Sequence, residues 1–134
     1  MKIHAAGSRP TNLAPPDYFT GTVWQDPIIA TEAPARLAAT RVSFEPGART
    51  AWHTHPLGQT LYVISGVGRV QSLGGPILEI KAGDTVWIPP GEKHWHGASP
   101  TNAMTHIAMQ EALDGSFATW MEQVTYADYA GPLG

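Results

Sequence analysis

His53 and His55 stand two residues apart, Gln59 follows across a Pro-Leu-Gly turn, and His94 arrives with a separate hairpin. On a β-strand, residues i and i+2 point to one face, so the imidazoles of the first pair look the same way. Three imidazoles and one amide oxygen converging on a point form a metal site of borderline-to-hard character. Without an ion, the same cluster buried in a barrel would be expensive to desolvate. The plain alternative is a set of hydrogen-bonded core histidines. A lone histidine would favour it; three at this spacing favour ligation.

Two more histidines stand close enough in the pattern to join the chemistry. His96 shares the parity of His94, which places it either behind the ligands as a hydrogen-bond partner or at the mouth of the site. His106 belongs to a strand predicted over residues 102–110, where Met104, His106, Ala108 and Gln110 share one face. Thr105, Ile107 and Met109 share the other, and both faces are apolar enough to be covered, so parity alone does not choose between them. With its own face inward, His106 is a free imidazole suited to proton transfer near neutrality, with Gln110 beside it. A hydrogen-bonded structural histidine is the competing reading.

The elements that position these groups are short strands. Twelve prolines and fourteen glycines punctuate the 134 residues, which suits many strands rather than long helices. One domain is expected over residues 1–134, with a polar arm at 1–16 and a barrel core at 37–124. Residues 18–24 are rich in β-formers. With residues 27–30 they look excessive for one small barrel, and are read as covering a partner's sheet edge or closing their own barrel. Residues 37–44 form a strand with Arg41 outward and Thr40, Val42 and Phe44 inward. After a turn at 45–47 and the histidine pair, residues 59–65 form a strand with Gln59, Leu61 and Val63 facing the cavity. Residues 66–68 are read as a turn, 67–73 as a returning strand, and 74–76 as another turn. Residues 77–81 lead to a segment with Val86 and Ile88 inward and Trp87 outward. A turn at 113–115 precedes a last strand over 117–124. Thr125 then caps a short helix at 126–130.

Thr40, Val42, Phe44, Leu61, Val63, Ile88, Met104 and Ala108 would line the space around the metal. Most inward apolar residues are simply core; together they describe a hollow suited to a small, largely apolar substrate with one oxygen handle. No cluster of Arg or Lys points inward, which speaks against phosphorylated or polycarboxylate substrates. Cysteine is absent, so disulfides, thiolate ligands and a Cys nucleophile are excluded. That fits a reducing cytoplasm. The first ten residues lack the apolar stretch of a secretory signal, and no run approaches a membrane span. The net charge of −3 and scattered basic residues argue against nucleic acid as a partner.

Gly47, His53, His55, Gly66, Gly83, Pro89, Gly91 and His94 fall at the spacings of the two cupin motifs, and the chain resembles that superfamily. The resemblance implies an all-β jelly-roll barrel (a double-stranded β-helix) with a divalent metal. The usual cupin has a glutamate four residues after its second histidine and an asparagine four after its last; here Gln59 and Ala98 stand there. An amide cancels none of the ion's charge, which sharpens Lewis acidity and loosens binding. A decayed, metal-free site is the alternative.

Beyond the motifs, residues 17–23, 44–61, 90–98, 103–106, 110–111, 113–115 and 120–122 resemble the bacterial manganese-dependent cupin (R)-hydroxynitrile lyases, which share Gln59. That resemblance implies cleavage of a cyanohydrin to an aldehyde or ketone plus hydrogen cyanide, and the reverse. It maps metal ligands onto His53, His55, Gln59 and His94, and cavity residues onto Thr40, Val42, His96, His106 and Gln110. His106 or His96 would take the hydroxyl proton, and Gln110 would hydrogen-bond the nitrile. Manganese is the expected ion, with iron, zinc, nickel or cobalt as other candidates. A homodimer or homotetramer is the expected assembly. Competing readings are a metal-dependent dioxygenase, a carboxymuconolactone decarboxylase-like cupin of unknown substrate, and a metal-free small-molecule-binding cupin.

Overall fold

The computed structural model describes residues 1–134. Its strands are β1 (Asn12–Leu13), β2 (Phe19–Thr20), β3 (Val23–Ala30), β4 (Leu37–Phe44), β5 (Arg49–Thr50), β6 (His53–Thr54), β7 (Gln59–Ser72), β8 (Leu78–Lys81), β9 (Thr85–Ile88), β10 (His94–Ala98), β11 (Met104–Glu111) and β12 (Thr119–Trp120). One short helix, α1 (Tyr126–Tyr129), follows, and the Thr125 side chain accepts from the Asp128 N–H at its start. The expected all-β fold with a short C-terminal helix stands. No helix is long and apolar enough to cross a membrane.

All strand pairings are antiparallel, and the sheet curls around one apolar interior. One half runs β1-β3-β4-β11-β7, with β9 on the other edge of β7; the second half runs β7-β10-β5-β2, with β8 beside β7 and β6 bridging β10 to β12. β7 belongs to both halves. Its residues 59–66 pair with β11, and residues 68–72 pair with β10. The turn expected at residues 66–68 is therefore absent: β7 is one strand of 14 residues that bends through a corner. Two devices make the bend. An irregularity against Thr105/His106 leaves Ile64 unpaired, which adds local twist. Gly66 then takes φ +82°, and a Cβ there would lie 1.9 Å from the Ala103 carbonyl oxygen. Only glycine fits both demands.

Two cores result. Fourteen buried residues, Val42, Phe44, Leu61, Val63, Ile88 and Met104 among them, fill the barrel. Trp52, Ile77, Trp95, Val124 and Tyr129 form a second cluster, which explains why all five residues of β10 are buried although its side chains alternate. Residues 18–30 are placed by β2 on β5 and by β3 between β1 and β4, so they close this chain's own barrel. Within residues 1–16, Asn12 and Leu13 add an edge strand against Trp24 and Gln25. The last strand is shorter than expected: only Thr119 and Trp120 pair, with Thr54 and His53.

Candidate metal centre

β6 and β10 are adjacent, and His53 lies directly opposite His94. In β10, alternation points His94 and His96 inward together. β7 brings Gln59 to the same region from the other half-sheet, and β11 brings His106 and Gln110, paired with Val63 and Gln59. The parity left open for β11 is resolved: Met104, His106 and Ala108 are buried, and Thr105, Ile107 and Met109 are only partly so.

Hydrogen bonds fix the tautomers of three imidazoles. His53 Nδ1 lies 2.8 Å from the Ala51 carbonyl, His55 Nδ1 2.8 Å from that of Phe117, and His94 Nδ1 2.8 Å from that of Glu92. A carbonyl only accepts, so each Nδ1 carries the proton and each Nε2 keeps a bare lone pair. His55 Nε2 and His96 Nε2 are buried with no partner in the chain. Gln59 Nε2 donates to Gln110 Oε1 at 3.0 Å, turning Gln59 Oε1 toward His94 Nε2 at 3.3 Å. That contact joins two acceptors, an arrangement that calls for a cation between or beside them.

The ring centroids of His53 lie 4.2 Å from His94 and 5.0 Å from His55. His53, His94 and His96 each offer a ligand atom within 4.8 Å of the others. Burial, reinforced by neighbouring imidazoles, pushes His53 and His96 well below the ordinary histidine range. Burial lowers His94 to about 4 and also lowers His55. The rings are thus neutral at pH 7, the form a metal requires. Buried, neutral, lone-pair-forward imidazoles with an amide oxygen suit a divalent metal ion.

The cupin-domain family model matches residues 40–108, about half of the chain. The chain is a cupin. It is 57% identical over 129 residues to an (R)-mandelonitrile lyase from Granulicella tundricola, covering 96% of this chain and 98% of that protein. A crystal structure of a cupin-like protein from Thermotoga maritima aligns with TM-score 0.84 and 39% identity, over 96% of this chain and 95% of the other. Another Thermotoga maritima structure, described as a predicted oxalate decarboxylase, aligns with TM-score 0.72 at 21% identity over 84% of this chain and 100% of its own, which speaks for the fold alone.

A cavity of about 170 Å³ opens beside the histidines of this cupin. Thr40, Val42, Ala108, His53, His55, Gln59, His96 and Gln110 reach its wall. Other residues assigned to the wall by alternation do not. Phe44, Leu61, Val63 and Ile88 are at most 2% exposed and belong to the barrel core, as does Met104. Facing inward is not the same as facing the hollow, because the closed part of a small barrel is filled by side chains. His106 is also set back: it is fully buried and absent from the wall, with Nε2 2.9 Å from His96 Nδ1. His96 is neither exposed at a mouth nor remote; it is 4% exposed and stands between His106 and the cavity. Sequence reasoning missed Phe19, Gln25, Thr50, Phe117, Ala118 and Trp120 on the wall. Trp120 stacks on the His53 ring at 4.4 Å and 28°. Phe117 and Trp120, two aromatics in the segment expected as a last strand, are the signal the sequence offers for this group.

Proposed function

We propose that this cupin is a hydroxynitrile lyase, (R)-selective and of the mandelonitrile type, which splits a cyanohydrin into an aldehyde or ketone and hydrogen cyanide. The likeness to the (R)-mandelonitrile lyase carries the reading, and the cavity agrees with it. His53, His55, Gln59 and His94 are the residues that would hold the ion. The chemistry a divalent ion supplies there when bound, manganese in this proposal, is Lewis acidity toward a substrate oxygen. Gln59 is neutral and leaves that charge undiminished.

The protein's own groups handle the proton. When His96 donates its Nδ1–H to His106 Nε2, a 2.9 Å contact, its Nε2 presents a lone pair on the cavity side. His96 Nε2 then accepts the substrate's hydroxyl proton. The carbon–carbon bond to the nitrile breaks with its electron pair on cyanide, the carbonyl forms, and the proton passes from His96 to cyanide, which leaves as hydrogen cyanide. His106 holds the His96 tautomer without reaching substrate. Gln110 Oε1 is occupied by Gln59, which leaves its amide N–H groups to steady the nitrile nitrogen. The apolar walls exclude water from the developing charges.

Assembly as a homodimer or homotetramer belongs to this proposal. It is supported by Trp24, Tyr62, Ile64 and Trp87, 37–59% exposed on the outer face of the first half-sheet. Light scattering checks it.

The decisive experiment is benzaldehyde release from racemic mandelonitrile by metal-stripped protein, with and without added manganese. Release that needs manganese and leaves the (S)-enantiomer behind is the expected result. No release by protein that has taken up manganese would overturn the reading. His96→Ala should reduce turnover by about 100-fold or more, and unaltered turnover would remove His96 as the base.

A further inference from the structure

The ligand set His53, His55, Gln59 and His94 leaves one imidazole at the cavity unused, and His96 carries the marks that identify the others. It is 4% exposed, its Nδ1 is engaged by an outer partner, His106 Nε2 at 2.9 Å, and its Nε2 is buried with no partner in the chain. An outer hydrogen bond on one ring nitrogen is what aims the other at an ion. His53, His94 and His96 are the three imidazoles whose ligand atoms all lie within 4.8 Å of one another, and His55 is not among them. Two strands place the trio. β6 sets His53 directly opposite His94 on β10, and His96 follows two residues along β10, its ring stacked with His94 at 5.7 Å and 18°. Across the strands the rings of His53 and His96 stand 5.3 Å apart. No Asp or Glu lines the cavity, so nothing there holds a proton on His96, and its buried ring keeps a lone pair free.

We infer that the barrel carries a second, overlapping metal site made of His53, His94 and His96, which takes an imidazole-preferring ion, zinc above all. The two sites share His53 and His94, so one ion fills either and not both. Their donor sets differ in kind. The first includes the Gln59 amide oxygen, a ligand that suits manganese; the second is all nitrogen, which suits zinc. Three protein ligands satisfy zinc and leave its fourth position to water. Nitrogens on one tetrahedral zinc ion stand roughly 3.4 Å apart, so the widest pair of the trio closes by at most about 1.4 Å. Zinc held there takes the Nε2 lone pair that the lyase reading reserves for the substrate's hydroxyl proton. On that reading the identity of the ion decides whether the protein has a base: manganese leaves His96 free and zinc consumes it. This consequence rests on the lyase reading; the site itself does not.

The test uses the metal-free wild type, His55→Ala, His96→Ala and His96→Phe, the last keeping the bulk of a ring without a donor. Chelator competition gives the affinity of each protein for zinc and for manganese. Both His96 variants should lose zinc affinity by about tenfold or more and bind manganese within about twofold of the wild type. His55→Ala should do the reverse. Zinc affinity that holds in the His96 variants, or that falls no more than manganese affinity does, would overturn the inference. Ring-nitrogen NMR of the wild type, with isotope-labelled histidine, reads His96 directly. Zinc should shift its Nε2 resonance; an unmoved resonance would overturn the inference, and this measurement decides alone if the variants fail to fold. Benzaldehyde release from mandelonitrile by the zinc-loaded wild type should be slower than by the manganese-loaded protein by about 100-fold or more. Equal rates would show His96 free beside zinc and would also overturn it. If the manganese-loaded protein releases no benzaldehyde, the lyase reading falls, and the zinc affinities and the His96 resonance still decide the second site.

Discussion

Gln59 links two tasks through one amide. Its oxygen faces His94 Nε2 and its nitrogen donates to Gln110, so charge at the proposed ion and the orientation of Gln110 are coupled. In Gln59→Glu the added negative charge should tighten manganese binding by about tenfold, a step of ~1.4 kcal/mol. The lost donor would also let the Gln110 amide turn its N–H groups toward the new carboxylate and away from substrate. Mandelonitrile cleavage should therefore fall while affinity, read by chelator competition, rises; a more active variant would contradict both arguments. His106 makes the complementary case. His106→Ala leaves a buried His96 Nδ1 without its partner, which costs about 1–3 kcal/mol of stability and frees the ring to turn. Turnover should drop by about 10–100-fold with manganese content unchanged. His106→Gln, which can still accept from Nδ1, should recover part of it while His106→Leu, of similar size, should not; equal recovery by the two would mean that the histidine only fills space.

The strand β7 carries the fold's main constraint, and Gly66 is where it turns from one half-sheet to the other. Gly66→Ala should destabilise severely, by more than about 3 kcal/mol, because left-handed backbone and a clash with backbone oxygen add together. Urea unfolding or loss of soluble protein checks this, and a shift under about 1 kcal/mol would mean the corner can relax. The same element shows what could be read from sequence and what could not. Alternation correctly set Thr40, Val42 and Phe44 inward on β4 and Gln59, Leu61 and Val63 inward on β7, because burial on one face imposes period two. A Gly-Val-Gly sequence reads as a reversal, yet glycine serves a bend inside a continuous strand equally well, and only the partners β10 and β11 distinguish the two. Both faces of β11 are covered, so its side chains needed the structure to assign. Phe117 and Trp120 escaped for a different reason. Their place on the cavity depends on Gln123, which donates to the Pro16 and Asp17 carbonyls, and on Arg49, which donates to that of Val124; such contacts leave no periodic mark.

At the scale of the molecule, a barrel that buries five neutral histidines accepts a folding liability at acid pH. His94 and His106 are lowered by burial from the ordinary 6.5 to about 4, and His53, His55 and His96 are lowered too. Between those values the unfolded chain takes up protons that the folded chain refuses, so stability must fall as pH falls. It should be flat above the ordinary histidine value and decline from pH 6.5 toward 4, each strongly shifted histidine adding a slope approaching ~1.4 kcal/mol per pH unit. A bound divalent ion acts in the opposite sense, adding about 2.7 kcal/mol when present at a hundred times its Kd. Because protons compete for the same Nε2 atoms, that gain should shrink over the same pH window. Thermal unfolding of chelator-treated protein at pH 7, 6 and 5, with and without manganese, reads both effects. The metal-free midpoint should drop steadily with acid, and the manganese increment should be largest at pH 7. His106→Gln isolates one imidazole: it should reduce the slope by up to ~1.4 kcal/mol per pH unit near pH 5 and by less toward pH 7, since a glutamine binds no proton in either state. An unreduced slope would show that the acid sensitivity does not come from His106, and a midpoint indifferent to pH would show that these rings are far less cut off from water than their burial demands.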